Sequence, residues 1–87
     1  MNRDDRLRRI EWRMLRLWNQ DRARYTEILA LARQNARGRA LGHDMDQYPG
    51  EDYILGLAGL TDSYSIDEII DWADWAENMS RYLEKVA

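Results

Sequence analysis

Across its first forty residues the chain repeats apolar side chains at three- and four-residue steps: Leu7, Ile10, Met14, Leu17, Trp18, Tyr25, Ile28, Leu29, Ala32 and Ala36. That period is helical. The whole chain is only 87 residues long, so this one pattern governs nearly half of it. No run elsewhere alternates convincingly at period two, which argues against a sheet. The expected fold is all-α, a single domain over residues 1–87 with three helices, or four if the first is broken. A domain of this size buries roughly 60–65% of its unfolded surface, so a partner is a natural source of extra stability.

The spacing predicts a helix over about 3–37, a loop over 38–50, a short helix over about 51–60 and a last helix over about 66–86. Asn2 is placed to cap the start, and Asp4 and Asp5 lie in the first turn, where the helix dipole favours anions. A helix of that length would extend ~50 Å, long for so small a domain. Asn19-Gln20-Asp21 is its weak point, because Asp21 interrupts the stripe and Asp is a good N-cap. One long helix and two helices meeting near residue 20 are both compatible with the pattern. Gly38 stands where a C-terminal cap glycine belongs. The loop holds Pro49, Gly42 and Gly50 and has no clear period. Gly56 and Gly59 weaken the short helix or permit close backbone approach.

The final helix has the clearest start. Ser65 and Glu68 form a capping-box pattern, with Tyr64 and Ile69 as the hydrophobic staple around it. Ile66, Ile69, Ile70, Ala73, Ala76, Ser80 and Leu83 make one apolar stripe, enough to seat the helix on a core. A second stripe, Trp72, Trp75, Met79, Tyr82 and Val86, runs beside it. Either the helix is sandwiched between the other two, or the second stripe faces a partner. The chain has four Trp, five Tyr and no Phe, so every ring carries a polar handle, as interfacial rings do. Asp67, Asp71 and Asp74 form a polar stripe at one-turn spacing. The expected partner-binding set is therefore Trp72, Trp75, Met79 and Tyr82 with Asp67, Asp71 and Asp74.

Charge is distributed unevenly. Residues 1–40 carry a net +6 and residues 41–87 a net −9, summing to −3. Such asymmetry suits a charged partner or pairing between the two halves. Twelve of the thirteen basic residues are Arg, the better residue for bidentate pairing and stacking. Arg6, Arg9, Arg13 and Arg16 share a face of the first helix as a ladder able to contact phosphates. No helix-turn-helix, zinc-finger or basic-zipper pattern accompanies it. The competing expectation is that an antiparallel final helix sets Asp67, Asp71 and Asp74 against this ladder.

The sequence supplies little for catalysis, and no enzyme is expected. The absence of Cys removes disulfides, thiolate metal sites and thiol nucleophiles. His43-Asp44-Met45-Asp46 with Glu51 and Asp52 offers too few soft ligands for zinc. As a calcium loop it fails at Tyr48, Pro49 and Leu55. Gly56-Leu57-Ala58-Gly59 lacks the Lys and the length of a phosphate loop. No metal or cofactor is expected. No apolar run approaches the ~18 residues of a membrane span, and Met1-Asn2-Arg3-Asp4-Asp5 lacks a signal peptide's apolar core, so a cytoplasmic protein without membrane contact is expected.

In size, charge and aromatic content the chain resembles the small orphan proteins that phages and mobile elements make to block host machinery. Host polymerases and CRISPR effectors are among the targets of that group. The likeness is one of composition and carries no residue correspondence. It implies a non-enzymatic inhibitor that docks on a larger protein complex through the aromatic-acidic helix. The alternatives are a small nucleic-acid-binding regulator using the arginine ladder and a homo-oligomeric scaffold, in the simplest case a homodimer.

Overall fold

The computed structural model describes residues 3–61 and 63–79. Four α-helices follow in chain order: α1 (Arg3–Gln20), α2 (Arg22–Ala40), α3 (Glu51–Ala58) and α4 (Ile66–Asn78). One 3-10 turn, Met45–Gln47, lies between α2 and α3. The described residues contain no strand.

The N-terminal periodicity belongs to two helices. At Asp21 the backbone leaves the helical region (φ −151, ψ 71), and the side chain caps α2 by accepting from the Arg24 amide. A straight helix over the same residues would be roughly 57 Å long, but the molecule's longest dimension is 39 Å. Trp18 and Tyr25 meet edge-to-face across the corner with centroids 5.0 Å apart. Arg22 lies 3.5 Å over the Trp18 ring and donates to the Trp18 carbonyl at 2.7 Å. That bond satisfies one of the carbonyls that the end of α1 leaves without a helical partner.

Side-chain pairs between helices fix their directions. Arg39 meets Asp67, while Arg33 meets Asp74 and Glu77, so α4 runs antiparallel to α2. Arg6 meets Glu68 and Glu11 meets Trp72, so α4 runs parallel to α1. Each helix turns a stripe toward one core: Ile10 and Met14, then Ile28, Leu29 and Ala32, then Ile54, Leu55 and Ala58, then Ile66, Ile69, Trp72, Ala73 and Ala76.

Two boundaries differ from those read in the sequence. The second helix passes Gly38 and continues to Ala40. Gly38 is buried within it, beneath the Tyr48 ring; a β-carbon there would lie 2.8 Å from Tyr48 Cζ. Its role is close approach, and Gly42, at φ +72, takes the left-handed position instead. The last helix ends at Asn78, because Met79 (φ −80, ψ 87) turns out of it; residues 80–87, with Tyr82, Leu83 and Val86, lie outside the described residues. The predicted capping residue Asn2 lies outside them as well.

Gly59, expected to weaken the short helix or permit close approach, ends α3 in the left-handed region at φ +72. Leu60 N donates to Leu55 O at 2.9 Å and Gly59 N to Gly56 O at 3.1 Å, the paired bonds of a Schellman cap. The Arg13 side chain occupies the space a β-carbon would take at Gly59, and its Nε donates to the Ala58 carbonyl at 2.9 Å. Ser65 and Glu68 form the capping box, with both reciprocal bonds present.

One buried polar atom has a measurable consequence. Tyr25 is 3% exposed, and its hydroxyl has no hydrogen-bond partner among the described residues. Burial, with a smaller contribution from Glu77, pushes its pKa up to about 12. Because the folded value lies above the unfolded one, the contribution is complete below pH ~10 and is lost as pH rises toward the folded value. Alkaline titration should therefore cost about 1–3 kcal/mol of stability between pH ~10 and ~12. In Tyr25→Phe that loss should shrink, with stability at neutral pH no lower than in the parent. Urea unfolding at both pH values checks this; equal alkaline loss in both proteins would exclude Tyr25 as its source.

Candidate functional site

The parallel packing of α1 and α4 leaves a groove between them. Its volume is about 340 Å³, and Leu7, Arg8, Glu11, Asp71, Trp72 and Trp75 line it. The lining follows from helical spacing: Leu7 and Glu11 are one turn apart on α1, as are Asp71 and Trp75 on α4. Three apolar side chains form its walls, and three charged ones, Arg8, Glu11 and Asp71, accompany them. The Trp72 indole Nε1 donates to Glu11 Oε2 at 3.3 Å, tying the two walls together. This pairing of apolar surface with a few placed polar groups is the usual make-up of a recognition site.

The second aromatic stripe is thus divided between core and surface. Trp72 is 4% exposed and belongs to the core, contributing to the groove as a wall. Trp75 is 46% exposed and Met79 49%. Tyr82 lies outside the described residues. Of the three aspartates Asp67, Asp71 and Asp74, only Asp71 lines the groove. Asp67 pairs with Arg39 at 3.0 Å, and Asp74 shares Arg33 with Glu77 at 3.1 Å each. These acids therefore meet arginines of α2 and not the α1 ladder. The antiparallel neighbour of α4 is α2, and α1 runs alongside it in parallel. All these side chains are largely solvated, so each pair contributes only ~0–1 kcal/mol while fixing the orientation of the helices.

The ladder itself divides in two. Arg6 turns inward: its Nε and Nη2 donate to Glu68 at 2.9 and 2.6 Å, Nη2 also reaches the Ser63 carbonyl at 2.5 Å, and the guanidinium stacks 4.7 Å over Tyr64. The Arg6 hydrogen bonds hold the Glu68 carboxyl below its ordinary pKa, against a smaller opposing effect of burial. Arg9, Arg13 and Arg16 instead gather around Trp12, at 5.6, 5.5 and 5.5 Å from its ring centroid. Trp12 is 51% exposed. It falls outside every apolar stripe of the sequence, yet it stands three residues after Arg9 and four before Arg16, the spacing that puts all three on one face.

The loop acids serve local structure. Asp44 Oδ1 accepts from the Asp46 amide at 3.1 Å and caps the 3-10 turn. His43 Nδ1 lies 2.7 Å from the Tyr48 hydroxyl. Glu51 Oε2 accepts from the Ile66 amide at 3.2 Å, joining the starts of α3 and α4. No group of three metal-ligating side chains occurs among the described residues. No described helix is long and apolar enough to cross a membrane.

Comparison of the chain with family models, curated proteins and solved structures finds no match.

Proposed function

We propose that this chain is a non-enzymatic protein-binding module whose α1–α4 groove receives an apolar anchor side chain of a larger protein. The observation that carries this reading is the half-exposed Trp75 on the wall of a groove shared with Leu7 and Trp72, with Met79 exposed one turn further on. Aromatic residues beside a desolvated pocket are the usual energetic centre of an interface. The contact shifts from the carboxylate stripe toward the groove, because Asp67 and Asp74 are occupied by Arg39 and Arg33. Asp71, Arg8 and Glu11 supply a mixed-charge rim that orients the anchor. By covering a surface of its partner, such a module acts as an inhibitor of the complex to which that partner belongs.

The test is affinity capture from the source cell's lysate after nuclease treatment, with the parent and a Trp75→Ala/Met79→Ala variant in parallel. A protein retained by the parent and lost from the variant supports the groove. Its affinity for purified parent and variant should differ by roughly thirtyfold or more, the size expected of a hot spot. Identical captured sets would reject the groove as the contact. Light scattering separates the scaffold alternative: the expected mass is that of a 10.4 kDa monomer. Twice that mass, reduced to one by the same variant, would make the occupant a second copy.

A further inference from the structure

We propose that the outward face of α1 binds single-stranded nucleic acid, with Trp12 as a stacking platform and Arg9, Arg13 and Arg16 as its phosphate contacts. This face is separate from the groove. Ile10 and Met14 are fully buried, and Trp12, two residues from each, points about 200° away from them around the helix. The result is an indole more than half exposed on a very small domain. Nothing in the packing requires it there.

The cations around it differ from those that pair across the fold. Arg6, Arg33 and Arg39 each reach across the fold to a carboxylate. Arg9, Arg13 and Arg16 make no ion pair among the described residues and converge on one ring; Arg13 is half-buried, with its Nε on the Ala58 carbonyl, and Arg16 Nε donates to Gln20 Oε1. Glu11, the nearest acid in sequence, is drawn to the far side of α1 by Trp72. Three guanidiniums with no carboxylate partner among the described residues are therefore gathered beside an exposed indole. The net −3 of the chain does not oppose this locally, since charges further than ~10 Å are screened in ordinary buffer.

The chemistry fits a flexible polyanion that carries flat rings. A guanidinium is planar and weakly hydrated, which suits bidentate phosphate contact. Arg9 and Arg16 are seven residues apart, about 10.5 Å along the axis. That matches about three stacked nucleotides at ~3.4 Å each. A base can take the indole face while neighbouring phosphates take the arginines, the combination used by single-strand binders. A duplex keeps its bases stacked and offers no ring to Trp12.

The probe is a fluorescein-labelled oligothymidylate, followed by anisotropy against salt. The expected dissociation constant lies at roughly 10⁻⁴–10⁻⁶ M. Three phosphate contacts on a single strand give a log–log salt slope of about −2, a loss of roughly fifteen- to twentyfold between about 50 and 200 mM. Trp12→Ala should weaken binding about 5- to 150-fold, Trp12→Phe much less, and Arg9→Gln/Arg16→Gln should flatten the slope to about −0.7. Far-UV circular dichroism of each variant shows that the helices persist; should Trp12→Ala unfold, the Arg double variant carries the test. Absence of binding at about 10⁻⁴ M and low salt overturns the proposal. So does unchanged affinity in folded Trp12→Ala. Equal binding of a polyglutamate peptide would reassign the patch to acidic proteins.

Discussion

Trp72→Ala is expected to destabilise the protein by about 3–5 kcal/mol, the usual cost of truncating a buried large aromatic. Trp75→Ala, three residues further along the same stripe, is expected to cost about 1 kcal/mol or less. The difference follows from where α4 sits. Trp72 is 4% exposed and Trp75 46%. A domain of 87 residues has about 4–13 kcal/mol of stability in total. The first substitution therefore removes a large share of the fold, and the second leaves it nearly intact. Urea unfolding followed by circular dichroism reads both midpoints. Similar midpoints, or the reverse order, would mean that α4 is rotated about its axis by roughly 60° from the packing described, since three residues advance a helix by about 300°. The prediction also decides how binding is tested: loss of a partner on Trp72→Ala cannot be separated from loss of the fold, whereas loss on Trp75→Ala can.

The same pair marks how far the sequence reaches. The existence of the helices, the capping box at Ser65 and Glu68, and Asp21 as the weak point of the first helical stretch are legible, because each depends on residues within about one turn; the choice between one long helix and two is not. Trp72 and Trp75 share one stripe in the sequence, and nothing local distinguishes them. Their separation into core and surface depends on α1 lying beside α4, which is a tertiary fact. Charge pairing divides in the same way. The basic and acidic halves are plain in the sequence, and their mutual pairing was one expected use. Which arginines answer Asp67 and Asp74 depends on α2 folding back at Asp21, and they are Arg39 and Arg33, with Arg6 meeting Glu68. Gly38 shows the opposite error. Its type suggested a helix end, but the feature that requires glycine there is Tyr48, ten residues away. Trp12 breaks the apolar period, so no stripe contains it; the signal that finds it is its position inside the arginine spacing.

Glu68→Ala should cost about 2–3 kcal/mol, more than loss of any of the exposed α2–α4 pairs. Its carboxylate accepts from the Ser65 amide at 2.9 Å and from Arg6 at 2.9 and 2.6 Å, so one side chain closes the capping box and joins α1 to α4. Loss of a helix cap costs about 1 kcal/mol. Hydrogen bonds to a charged group contribute about 1.5–3 kcal/mol, here discounted because the side chain is 28% exposed. Glu68→Gln separates the two parts. Gln keeps the reciprocal bond of the box and loses the charge, so it should lie between the parent and Glu68→Ala. Acid titration gives an independent reading. The carboxyl's pKa is lowered from 4.5, chiefly by the Arg6 hydrogen bonds. A depressed folded value means that this stability is present above the unfolded pKa and is lost as pH falls through the folded one. Parent stability should therefore drop below pH ~4.5 by more than that of Glu68→Gln, and the two curves should converge in strong acid. A Glu68→Gln protein as stable as the parent at neutral pH, with the same acid limb, would leave the box standing and remove the Arg6 pair as a source of stability. In that case α1 is held to α4 by apolar packing around Ile10 and Trp72 and by the Trp72–Glu11 hydrogen bond, and the stability should change little when salt is raised, because screening acts on charge pairs and not on apolar contacts.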